Sequence, residues 1–66
     1  MKWVCICEEL SMRHYEIKFD QNVGYYFYVF DGERCVRDYL QDTFEDALDF
    51  AEQYYSVRRD NWRVQE

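Results

Sequence analysis

Sixty-six residues with a formal net charge of −6 hold one domain and disfavour a phosphate-rich partner, because nucleic acids are bound mainly by lysine and arginine. A chain this short buries only ~60% of the surface its unfolded form exposes. It compensates with rings: two Trp, seven Tyr and five Phe make up 21% of the residues, and each buries roughly 150–250 Å² when packed. Apolar residues at 48%, only two glycines and no proline argue against disorder.

Lys2 to Cys7 (KWVCIC) is rich in β-branched and aromatic residues and reads as a first strand. Glu8 and Glu9 end its apolar run before a secretory signal forms, no run approaches the length of a membrane span, and the expected compartment is the cytoplasm. Three cysteines, an odd number, fit a reducing compartment better than a disulfide scaffold. Met12 offers a second start position, which would make residues 1–11 an extension instead of a strand.

Arg13 to Phe19 alternates, with Tyr15, Ile17 and Phe19 on one side and His14, Glu16 and Lys18 on the other. Asp20 to Gly24 supplies turn chemistry, and Tyr25 to Phe30 (YYFYVF) is the strongest strand signal in the chain. Asp31-Gly32 is a hairpin signal, after which Glu33 to Leu40 returns as the next strand. A two-residue Asp31-Gly32 turn pairs Phe30 with Glu33, Tyr28 with Cys35 and Tyr26 with Arg37. Tyr25, Phe27, Val29, Val36 and Leu40 then share one face, and Tyr26, Tyr28, Phe30, Cys35, Arg37 and Tyr39 the other. A five-residue loop at Asp20 to Gly24 adds Tyr15, Ile17 and Phe19 to the first face, while a loop one residue shorter sends them to the second. The longer loop is preferred because it gathers the aliphatic residues on one side.

A helix over 42–55 follows. Asp42 or Thr43 caps it, and Glu45 or Asp46 completes a capping-box-like pattern and complements the helix dipole. Phe44, Ala47, Leu48, Ala51 and Tyr54 or Tyr55 form the apolar stripe. Residues 56–66 lack periodicity and read as a tail whose Trp62 folds back onto the core, since exposing so large a ring forfeits its burial energy. The expected fold is α+β: a three- to four-stranded antiparallel sheet with one C-terminal amphipathic helix on one face.

From Tyr15 to Tyr55 the order is strand, Gly24-Tyr25-Tyr26 hairpin, strand, then an Asp42-Thr43-Phe44-Glu45-Asp46-Ala47-Leu48 helix start. This resembles the partial-RNase-H-like domain of HicB-type antitoxins, where a Gly-Tyr strand precedes a Gly-Asp-Thr-x-Glu-Glu-Ala helix start. The chain departs from that pattern at Asp31 to Leu40, a strand in place of a Pro-Gly-rich loop, and lacks the family's DNA-binding module. The resemblance implies a shape and a protein that neutralises a partner, with no catalytic residues.

Four candidate sites remain. Cys5, Cys7, His14 and Cys35 have the chemistry of a Cys₃His zinc site, which would make the chain a small metal-binding domain. Cys5-Ile6-Cys7 lacks the usual C-x₂₋₄-C spacing, however, and packing explains these cysteines without a metal or cofactor. A Cys35–His14 nucleophile pair has no identifiable third member, so no enzyme is expected and His14 reads as a surface residue. The helix flank of Asp42, Glu45, Asp49 and Glu52 has no base within residues 41–55, which steers a basic protein partner or, alternatively, mimics nucleic acid to block a DNA-binding protein. Solvation alone is the plainer account of that flank. Last, Tyr26, Tyr28, Phe30, Arg37 and Tyr39 form an interface for a protein partner or a homodimer, because one helix covers only one side of a sheet. Such rings also suit single-stranded RNA, but fourteen acids against eight bases oppose it.

Overall fold

The computed structural model describes residues 1–6 and 13–65, so Cys7 and Met12, with the question of a second start, lie outside the described residues. Strands β1 (Lys2–Ile6), β2 (Arg13–Asp20), β3 (Gly24–Asp31), β4 (Arg34–Gln41) and β5 (Arg63–Gln65) form one antiparallel sheet, and helix α1 (Phe44–Tyr55) packs on one of its faces. The strand order is β4-β3-β2-β1-β5. The class is therefore α+β as expected, with one more strand among the described residues, contributed by the tail. No described helix is long and apolar enough to cross a membrane.

The β2–β3 hairpin has the register of the longer loop: Phe19 faces Tyr25, Ile17 faces Phe27 and Tyr15 faces Val29. Asp20 builds the turn. Its Oδ1 accepts from the Asn22 N–H at 2.9 Å and its carbonyl from the Val23 N–H at 3.2 Å. Gly24 then closes the loop at φ +125, a region that side chains avoid.

The β3–β4 hairpin corrects the expected register twice. Its tip is Gly32-Glu33, with Gly32 at φ 64, so Asp31 faces Arg34 and Phe30 faces Cys35. That slip leaves the faces unchanged. A bulge then inserts Val36, and Val29 faces Arg37, Phe27 faces Tyr39 and Tyr26 faces Leu40. One extra residue exchanges the faces of everything after it. Arg37 and Tyr39 therefore belong to the helix side, and Leu40 to the opposite side, where it is half exposed. The physical gain is plain: an unbulged strand would turn Asp38 towards the helix and Tyr39 away from it. Burying that carboxylate unpaired costs far more than exposing a leucine. Tyr39 instead lies 4.5 Å from the Phe50 ring, and its hydroxyl meets that of Tyr55 at 2.8 Å.

The core lies between the sheet and α1, formed by Cys5, Tyr15, Ile17, Phe27 and Val29 below and Ala47, Leu48, Ala51 and Val57 above. Thr43 caps the helix, its Oγ1 accepting from the Asp46 N–H at 3.0 Å. Ser56 ends it in the left-handed region, and the Val57 N–H returns to the Ala51 carbonyl at 3.1 Å, which buries Val57. From there the tail makes a 3₁₀ turn at Arg59–Asn61, places Trp62 edge-on to Phe27 at 6.3 Å, and adds Arg63–Gln65 to β1. Trp62 thus folds back onto the core as expected, and the tail is a strand as well.

Candidate functional site: the open face of the sheet

The face opposite α1 is set by strand parity. Its middle row runs Asp38, Tyr28, Glu16, Val4, Arg63 from β4 to β5, and the row beside it runs Leu40, Tyr26, Lys18, Lys2, Gln65. A third row holds Cys35, Phe30 and His14. Read along the strands, β3 contributes a column of rings and β2 a column of polar groups. Tyr26 and Tyr28 lie 5.7 Å apart, Tyr28 and Phe30 6.2 Å. All three are only partly buried, and no described element lies over them.

The two columns interact. His14 stacks flat against Phe30 with ring centres 4.7 Å apart, and its Nε2 lies 3.5 Å from Glu16. Lys2 reaches the same carboxylate from β1 at 3.6 Å. Partial burial raises the Tyr28 hydroxyl above its ordinary value, and Tyr26 and Asp38 nearby push it the same way, so Tyr28 stays a neutral donor at physiological pH. Lys2, Glu16, Lys18, Tyr28, Phe30 and Cys35 surround a broad open depression of about 660 Å³, with Met1 and Gln65 at its end.

Of the five expected interface residues, the structure brings Tyr26, Tyr28 and Phe30 together on this face and places Arg37 and Tyr39 on the helix side. The residues that sequence reasoning missed are Lys2, Val4, Asp38, Leu40 and Arg63. Asp38 and Leu40 were hidden by the bulge, and Arg63 by a strand too short to show alternation.

The acidic flank is where the sequence put it, with Asp42, Glu45, Asp49 and Glu52 all exposed. It is not purely acidic in space. Arg59 returns from the tail, donating from Nη1 to Glu45 Oε2 at 2.9 Å and from Nη2 to Asp49 Oδ1. The hydrogen bond to Glu45, and the negative charge of both carboxylates, raise the already high guanidinium pKa further, so Arg59 stays a cation. A cation thus interrupts the acidic array in its middle. Asp42, Asp46 and Glu52 make no ion pair among the described residues.

Among the described residues the cysteines and histidine do not converge. Cys5 is buried on the helix side, whereas His14 and Cys35 lie on the open face, and Cys7 is outside the described residues. His14 and Cys35 are two strands apart with Phe30 between them, about 10 Å at the usual strand spacing. The Cys35 thiol donates to the Arg37 carbonyl at 3.4 Å instead. Among the described residues no three His, Cys, Asp or Glu side chains are grouped to hold a metal ion.

Comparisons with models of known protein families, with characterised proteins and with solved structures gave no match.

Proposed function

We propose that this chain is a non-catalytic protein-interaction module that associates with itself through the open face of its sheet. One observation carries the reading: the ring column Tyr26–Tyr28–Phe30 stands on the side of the sheet that α1 does not cover. Tyrosine is enriched at interface hot spots, where its ring is buried while its hydroxyl keeps a partner. Here the column is flanked by ready partners, Glu16, Lys18 and Asp38. The overlap available, roughly four to five strands by three rows, is on the order of 400–500 Å² per copy in projection. That lies at the small end for specific interfaces, the range of weak and transient assemblies.

Light scattering on a size-exclusion column across micromolar to submillimolar concentration tests this. The expected result is a mass that rises to twice the monomer, with Tyr28→Thr held at the monomer while its circular dichroism is unchanged. A mass fixed at the monomer over the whole range refutes self-association.

The acidic flank supports a second, compatible role. Asp42, Asp46 and Glu52, with the net charge of −6, steer a basic protein towards α1, and an antitoxin-like or immunity-like neutraliser is the sharpest form of that role. Binding to a basic partner that weakens steeply with salt supports it, and salt-independent binding opposes it.

A further inference from the structure

Resting on self-association through the open face, we propose that the second copy lies across it about a two-fold axis that runs parallel to the strands, between β2 and β3. Such an axis lays the β3 column of each copy on the β2 column of the other, and β4 on β1.

Charge selects this axis over its neighbours. A two-fold through β2 would set Glu16 against Glu16 and Lys18 against Lys18, like charges meeting in a desolvating contact. A two-fold perpendicular to the strands through the middle row would set Asp38 against Asp38, Glu16 against Glu16 and Arg63 against Arg63. Between β2 and β3 the two central strands are complementary in every row. Tyr26 covers Lys18, a cation over a ring face. Tyr28 presents its neutral hydroxyl to Glu16. Phe30 meets His14, repeating between copies the stack that already exists within one.

The rim supplies the decisive pair. Asp38 on β4 lands over Val4 on β1 of the second copy, beside Arg63, which faces Val4 from β5. Within one molecule Asp38 and Arg63 stand at opposite edges of the sheet, four strand spacings apart. That is roughly 19 Å, more than twice the ~8 Å Debye length at physiological ionic strength. They do not interact inside a monomer. Any energetic coupling between them therefore arises between copies.

The experiment is a charge exchange read by sedimentation equilibrium, with circular dichroism checking the fold of each variant. Asp38→Arg and Arg63→Asp each place two like-charge contacts in the dimer and are expected to raise Kd tenfold or more. The double variant Asp38→Arg/Arg63→Asp restores opposite charges at both rims and is expected to return Kd to within about threefold of the parent. A double variant no tighter than the weaker single overturns the axis. If Tyr28→Thr still dissociates the dimer in that case, self-association by the open face survives and only its geometry fails. A parent chain that is monomeric throughout overturns both readings together.

Discussion

Phe27 and Tyr28 are neighbours on β3 that face opposite ways, so truncating each in turn tests the division of the sheet into a core side and an open side. Phe27 has no solvent exposure, and its ring touches Tyr15, Tyr39, Phe50, Tyr55 and Trp62. Phe27→Ala is expected to cost about 3–5 kcal/mol. A 66-residue chain has a total stability of only about 3–10 kcal/mol, so that variant risks not folding at all. Phe27→Leu is the safer probe. It removes three carbons at ~0.8 kcal/mol each, on the order of 2 kcal/mol. Unfolding entropy is about 0.14 kcal/mol/K for 66 residues, so the melting temperature should drop by roughly 15 °C. Tyr28→Thr keeps a β-branched residue in the strand and loses only partly exposed ring contacts, so at most about 1 kcal/mol and 7 °C are expected. Thermal melts are run at the lowest workable protein concentration, because the proposed self-association would stabilise the parent by mass action and inflate the Tyr28 effect. If dilute Tyr28→Thr melts as low as Phe27→Leu, the open face is not open and the reasoning fails.

Further tests probe the local devices of the fold. A Cβ on Gly24 would lie 2.6 Å from the Gln41 carbonyl oxygen at φ +125, so Gly24→Ala should cost about 1–3 kcal/mol by urea titration. Thr43→Ala removes the cap bond to Asp46 and should lower the melting temperature by roughly 7 °C, the equivalent of about 1 kcal/mol. Burial, then the bond to Tyr39, raises the Tyr55 hydroxyl above its ordinary value of 10.0. The unfolded chain therefore loses this proton first: stability is intact below pH 10 and falls as pH rises through the folded-state value. Tyr55→Phe should flatten that fall in urea midpoints measured from pH 9 to 11. Arg59→Gln breaks the bridge to Glu45 and Asp49 and should lower the midpoint slightly in low salt and not at all in 1 M salt.

Where local chemistry decides geometry, the sequence was legible. Asp20 and Gly24 set one loop, and with it the placement of Tyr15, Ile17, Phe27 and Val29 in the core. Thr43 and the spacing of Ala47, Leu48 and Ala51 likewise set the helix and its buried stripe. What could not be read were choices made by tertiary energy. The run from Arg34 to Gln41 pairs in either parity, and the penalty for turning Asp38 towards α1, with the packing that Tyr39 gains there, selects the bulge at Val36. β5 has three residues, too few to show a period, and exists because β1 offers it an unpaired edge. Arg59 lies seven residues beyond Glu52, so its place among the helix acids follows from the Ser56 turn and from no spacing rule.

The width of the ring column further supports the proposed self-association, in which a copy of this chain suits the open face better than an arbitrary apolar surface. A helix with its side chains is about 10–12 Å across, and five strands at ~4.8 Å spacing are about twice that. On the core side Val57 and Trp62 make up the difference. On the open side the rings occupy a single strand, bordered by Lys18, Glu16 and His14 on one flank and Asp38 on the other. An apolar partner broad enough to cover the rings would also cover these groups, and each one left without a partner costs about 1–3 kcal/mol, more when charged. Covering three rings recovers little beyond that. The favourable partner carries a polar column beside an apolar one, at strand spacing and in the opposite hand. Rotating this sheet face about an axis between β2 and β3 generates that pattern, and a monomer left without it still keeps its charged column solvated.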